Sequence, residues 1–156
     1  MKVNVQNIPS EGLHFDLAGH PVILESKSLV VNGPVEGMLS VQKLGNVDVH
    51  IRGSLSAHLL LSCGRCLNSF DYPVASEFYV DCTHEEKSPI SGQEHRLYGE
   101  ELNLHFYQGD TLEINEIIEN QIHLEIPMAP LCKEDCKGLC PICGEDLNLA
   151  LCGGHE

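Results

Sequence analysis

Val47-Asp48-Val49-His50-Ile51-Arg52-Gly53-Ser54-Leu55-Ser56-Ala57-His58-Leu59-Leu60-Leu61-Ser62-Cys63-Gly64-Arg65-Cys66-Leu67-Asn68-Ser69-Phe70-Asp71-Tyr72-Pro73-Val74 contains two alternating runs hinged on a cysteine pair. Val47, Val49 and Ile51 alternate with Asp48, His50 and Arg52, the period of a half-buried strand. Leu55, Ala57, Leu59 and Leu61 continue on one face and deliver Cys63 at the end. After Cys66 the alternation resumes with Phe70, Tyr72 and Val74. The reading is a β-hairpin with Cys63-Gly64-Arg65-Cys66 at its tip, the place for a zinc knuckle.

A second cysteine-rich stretch lies near the other end of the chain: Cys132-Lys133-Glu134-Asp135-Cys136-Lys137-Gly138-Leu139-Cys140-Pro141-Ile142-Cys143-Gly144, followed by Cys152-Gly153-Gly154-His155. A thiolate prefers a soft or borderline cation, and two thiolates separated by two residues can grip one tetrahedral zinc. In Cys140-Pro141-Ile142-Cys143-Gly144, proline fixes φ inside the turn and Gly144 permits the positive φ on leaving it. Eight cysteines and His155 exceed by one the ligands of two tetrahedral sites. Cys82 is the odd one out: it follows Phe78 and Val80 at period two, and a buried thiol behaves as a small hydrophobe. The preferred partition puts Cys63, Cys66, Cys132 and Cys136 around one zinc, and Cys140, Cys143, Cys152 and His155 around the other. The rival joins Cys63 and Cys66 to Cys140 and Cys143, so the count is one or two structural zinc ions. A disulfide framework disagrees with Met1-Lys2-Val3-Asn4-Val5-Gln6-Asn7, which has no apolar signal core.

Elsewhere, a strand is expected around Pro34 to Leu44, turning at Leu44-Gly45-Asn46. A polar insert over 83–97 loses periodicity, and Leu102, Leu104 and Phe106 restore alternation. Ile114, Ile117, Ile118 and Ile122 fall at helical spacing, predicting a helix near 114–126 that stops before Pro127. Its isoleucine stripe reads as core packing. The fold class expected is α+β and β-rich: an antiparallel sheet or partly open barrel, one main helix, and a C-terminal zinc-knuckle segment. The expected organisation is a body over 1–130 and a cysteine-rich tail over 131–156 packed on it.

Nine Lys and Arg stand against 23 Asp and Glu, a formal charge of −14. Two bound zincs with seven thiolates would take it to about −17. Such a surface repels phosphate backbones at long range, which argues against nonspecific nucleic-acid binding and for a basic partner protein. Arg65, Lys133 and Lys137 lie beside thiolates, and direct RNA contact through that small cluster stays open. No apolar run approaches the length of a membrane span. No His-Glu-x-x-His, nucleophile elbow or phosphate-cradling glycine loop appears, and four cysteine or histidine ligands close a zinc site to catalysis. Cys82-Thr83-His84 is a poor thiol–base pair, because neighbours on a strand point to opposite faces. A redox or metal-sensing module is the alternative that uses the same thiols; a nuclease or hydrolase ranks below it.

The order of these parts resembles the YceD-like family of large-ribosomal-RNA accumulation proteins. The resemblance is carried by Cys63-x-x-Cys66-Leu67 on a hairpin, a helix ending in Ile126-Pro127, then Cys132, Cys136-Lys137-Gly138-Leu139-Cys140-Pro141-Ile142-Cys143-Gly144, Leu147-Asn148 and a final Cys152. It covers the chain from about Val35 onward. Where the family pattern closes with Cys-x-Cys, Cys152 is followed here by Gly153-Gly154-His155. The resemblance implies a non-enzymatic role in ribosome biogenesis, supporting accumulation or processing of large-subunit ribosomal RNA in bacteria and plastids, with a bacterial cytoplasmic location expected here. The implied partner is a basic ribosomal protein or assembly factor.

Overall fold

A computed structural model describes residues 1–19, 29–85 and 103–149. Two long strands dominate it, β4 (Val49–Ser62) and β5 (Ser69–His84), paired antiparallel from Val49↔Cys82 to Ser62↔Ser69. Alternation along this hairpin sorts Val49, Ile51, Leu55, Ala57 and Leu59, with Val74, Phe78, Val80 and Cys82, onto one buried face. At the centre of that face Gly53 carries no side chain for a packing reason. A Cβ there would lie 2.3 Å from Leu39 Cδ2 and 3.0 Å from Phe78 Cζ, so the flanking strands fill the space that a residue with a side chain would occupy.

Outward from β4 lie β3 (Glu36–Lys43) and β2 (Leu13–Asp16), both antiparallel, with Leu39 and Val41 continuing the core. On the far side of β5 lies β6 (Leu104–Tyr107), paired in parallel from Asp81↔Leu104 to His84↔Tyr107. The sheet order is therefore β2-β3-β4-β5-β6. One expectation is corrected. The sheet is mixed rather than antiparallel, because β6 runs parallel to β5, a pairing that a tight hairpin turn cannot make. Of the two architectures expected, sheet or partly open barrel, the described residues form the sheet, with β2 and β6 at its two edges.

The phase of β6 also differs from the reading. Tyr107 is the buried residue, with Leu104 and Phe106 only partly covered, and its hydroxyl donates to Val47 O. Thr83 and His84, expected in the polar insert, still belong to β5; the rest of that insert from 86 onward lies outside the described residues, as does Leu102.

A separate two-stranded ribbon joins β1 (Lys2–Asn4) to β7 (Thr111–Glu113) in the register Val3↔Leu112. It runs directly into α1 (Ile114–Leu124), whose first N–H donates to Met1 O at 2.9 Å. Ile114, Ile117, Ile118 and Ile122 are buried and join the same hydrophobic core as the sheet. The helix gives way at Glu125, two residues before Pro127, consistent with the bar on α conformation before proline.

Candidate metal centre

The hairpin tip is shaped by the Cys63–Cys66 turn. Cys63 N donates to Asn68 O at 2.9 Å and Leu67 N to Cys63 O at 3.0 Å, with Leu67 in the left-handed region at φ 60°. This geometry turns Arg65 N toward Cys63 Sγ at 3.5 Å, the backbone donor to sulfur that a zinc knuckle uses. The C-terminal segment is tied to the tip by main-chain bonds: Gly64 N donates to Pro130 O at 2.8 Å, and Leu139 N to Arg65 O at 3.2 Å. The Arg65 guanidinium adds a bond to Cys136 O at 2.8 Å. Gly138 makes the approach possible. It has φ +76°, and a Cβ there would press on Arg65 O at 3.1 Å.

These ties bring together four sulfurs distant in sequence. Cys63, Cys66, Cys132 and Cys136 place their Sγ atoms all within 4.8 Å of one another. Cys63 and Cys136 are 3.7 Å apart, as are Cys66 and Cys132. Four sulfurs around a tetrahedral zinc, each about 2.3 Å from the metal, stand about 3.8 Å apart, whereas a disulfide closes to about 2.05 Å. The spacing and the four-sulfur donor set therefore fit a tetrahedral metal ion.

Electrostatics agree with the geometry. N–H groups of Cys66, Cys132 and Arg65 hold the Cys63 thiol down to about 6 against the opposing effect of burial. Burial, reinforced by the neighbouring sulfurs, pushes the Cys132 thiol up to about 12. Four crowded thiols cannot all ionise unaided; a bound dication removes that conflict by taking all four as thiolates. Asn148 supports the set from outside, its Nδ2 donating to Cys136 Sγ at 3.4 Å while its Oδ1 accepts from Lys137 N at 2.9 Å. Asp146 holds Asn148 in place and also receives Asn68 Nδ2 at 2.6 Å. Its carboxyl is held below the usual range first by the Asn148 backbone N–H, then by the Asn148 and Asn68 side chains and Lys133.

Of the eight residues expected to bind metal, the structure thus unites four, and in place of the rival pairing it sets Cys132 and Cys136 beside Cys63 and Cys66. Cys140 is buried and Cys143 exposed, in a turn closed by Gly144 N donating to Cys140 O at 2.9 Å, with Gly144 at φ +77°. Cys152 and His155 lie outside the described residues. Cys82 is in the sheet core, where burial raises its thiol to about 12. Sequence reasoning assigned no role to Asn68, Asp146 or Asn148; the available signal was the polar Asp-x-Asn just after the Cys140–Gly144 turn.

An open β-sheet with a helix at one end and a cysteine-lined hairpin tip at the other defines the class. A family model described as "Large ribosomal RNA subunit accumulation protein YceD" matches residues 51–156, from β4 to the end of the chain, and the chain belongs to that family. Uncharacterised proteins of Mycobacterium bovis and Mycobacterium tuberculosis are each 31% identical over 108 residues, 69% of this chain and 48% of theirs. A chloroplastic maize protein, "Large ribosomal RNA subunit accumulation protein YCED homolog 1", is 46% identical over 46 residues, 29% of this chain and 16% of its own. The chain spans about half the length of the mycobacterial relatives it matches. No solved structure matches it.

Proposed function

We propose that this protein is a non-enzymatic ribosome biogenesis factor that supports accumulation or processing of large-subunit ribosomal RNA, with zinc as a structural element. Family membership supports the ribosomal role. The observation that carries the zinc is the set of four sulfurs at tetrahedral spacing. With Cys63, Cys66, Cys132 and Cys136 as ligands no position is left open for water, so the ion staples the 131–156 tail to the 1–130 body instead of activating a reactant. Cys140, Cys143, Cys152 and His155 supply a second site in this reading. The partner ranked first is a basic ribosomal protein or assembly factor, drawn by a chain of charge −14 and held less tightly as salt screens the attraction. Among the described residues no helix is long and apolar enough to cross a membrane, and the reading places the protein in the bacterial cytoplasm.

The test is a pull-down from cells with and without nuclease treatment, together with the ratio of large- to small-subunit RNA after gene deletion. A nuclease-resistant basic partner and a lowered ratio are expected. An unchanged ratio, or phosphodiester cleavage by the purified protein, would overturn the reading.

A further inference from the structure

The face of the sheet turned away from the core contains a second constructed feature. The register lines up His14, Ser40, Arg52 and Tyr79 as direct cross-strand neighbours over four strands, because each is offset by one from a core residue. Beside them Met38, Ser54 and Glu77 form the adjacent row. Together with Leu39 and Phe78, reached beside Gly53, these residues line an open cavity of about 580 Å³, within the range of ligand pockets.

Its chemistry is specific. Tyr79 and Met38 are large apolar side chains left 48% and 55% exposed, which calls for a covering group. The Tyr79 ring is braced: Asp81 Oδ1 holds His50 Nδ1 at 2.6 Å, and the His50 ring stacks on Tyr79 at 6.3 Å between centroids and 28° between planes. Arg52 is exposed and makes no ion pair among the described residues, notable in a chain with nine Lys and Arg. A fixed flat ring, an uncommitted guanidinium and two serine hydroxyls match the three parts of a nucleotide: base face, phosphate and base edge.

From this arrangement we infer that the outward sheet face binds a nucleotide unit of single-stranded RNA, with its base on Tyr79 and its phosphate on Arg52. The inference rests on the reading that the protein works on large-subunit RNA, and it adds a contact site separate from the cysteine-lined end. With Arg52 and Glu77 in one lining, a run of either charge meets a like charge, so the occupant brings no more than a phosphate or two, held at Arg52. A base is neutral and needs only a stacking surface, so an acidic protein can hold one or two nucleotides where it would repel a long phosphate track. Duplex RNA is excluded because its bases are already stacked.

Fluorescence anisotropy with short labelled oligouridylate and oligoadenylate RNA tests this on the full chain. Binding should weaken roughly five- to a hundredfold in Tyr79→Ala, the usual worth of a stacked base, and fall in Arg52→Gln, while Tyr79→Phe retains it. Unchanged zinc content and thermal transition in each variant show that the fold is intact. With only one or two phosphates engaged, affinity should drop by no more than about sevenfold between 50 and 200 mM salt. Binding indifferent to both Tyr79→Ala and Arg52→Gln overturns the inference. So does absence of oligonucleotide binding, or equal affinity for a duplex hairpin, a basic peptide or free uridine monophosphate. If deletion lowers large-subunit RNA and Tyr79→Ala fully restores it, this site fails and the ribosomal role survives. If deletion changes nothing while the oligonucleotides bind as described, the ribosomal role fails alone.

Discussion

Around Ile51 the hairpin is held by hydrocarbon: Val41 and Val80 flank it across the register, and α1 contributes four buried isoleucines to the same core. Further along the same two strands, at Cys63, the buried groups are sulfurs. That smaller cluster holds Cys63, Cys66 and Cys136, with Phe70, Leu131, Cys132 and Leu139 packed against it. Phe70 meets Tyr72 edge to face at 6.3 Å, so the two regions touch through an aromatic pair. The larger hydrophobic cluster lies in the body, where sheet and helix share it. The cysteine-lined end has only the small cluster around Cys63, and the proposed metal ion would supply a cross-link there.

The sharpest way to break this comparison is to remove the ion. Cys63→Ser should abolish one zinc of an expected two, measured by elemental analysis, and cost several kcal/mol of tail stability, since metal binding free energy is partly folding free energy. Hydrogen exchange should show amides around Cys132–Cys140 losing protection while those of β4 near Ile51 keep theirs. Simultaneous loss in both regions would mean that the body depends on the metal too.

A truncation in the body should behave in the opposite way. Ile118→Ala empties part of a fully buried site and should lower global stability by about 2–5 kcal/mol, read by denaturant titration, with zinc content unchanged. Metal loss at native conditions would show the two regions to be one cooperative unit.

Cys82 separates the regions by pH. It belongs to the hydrocarbon core, and burial raises its thiol from 9.0 to about 12. A raised value favours the protonated thiol in the folded state, so this stabilisation is complete below about 9 and is lost as pH climbs through 12, up to about 4 kcal/mol in all. Cys82→Ala should flatten that alkaline decline, leave the zinc content unchanged, and cost a kcal/mol or two at neutral pH, as a small buried side chain does.

What could be read from the chain follows the same division. The hairpin, the burial of Cys82 and the isoleucine stripe are local periodicities, visible because one face of each element is apolar over several turns or pleats. The parallel pairing of β6 was not legible, since it depends on a crossover whose residues are polar and aperiodic. Tyr107 was missed because its neighbours Leu104 and Phe106 are the more hydrophobic pair, yet the register His84↔Tyr107 settles which face is inward. At the cysteine cluster the clustered residue types were legible, but the ties of Gly64 to Pro130 and Leu139 to Arg65 join segments far apart in sequence and leave no spacing signal. The ribbon of β1 with β7 is too short to show alternation.

The smallest effect expected is the one that separates the two surfaces as partners for RNA. Lys133 and Lys137 are exposed at the cysteine-lined end, but Glu134 and Asp135 lie between them in sequence, and four thiolates around the proposed zinc would add a net double negative charge. Reversing both, Lys133→Glu with Lys137→Glu, should therefore change oligonucleotide affinity by less than about twofold, the scale of a screened long-range charge. Neither side chain holds the hairpin to the tail; the bond at Lys137 is made by its backbone N–H, so zinc content should persist. Arg65 is left intact in this test because its guanidinium bonds Cys136 O, and its loss would confuse folding with binding. A large drop in RNA affinity from the double reversal, with Tyr79→Ala silent, would move the RNA contact from the sheet face to the zinc knuckle and reverse the roles assigned to the two ends of the hairpin.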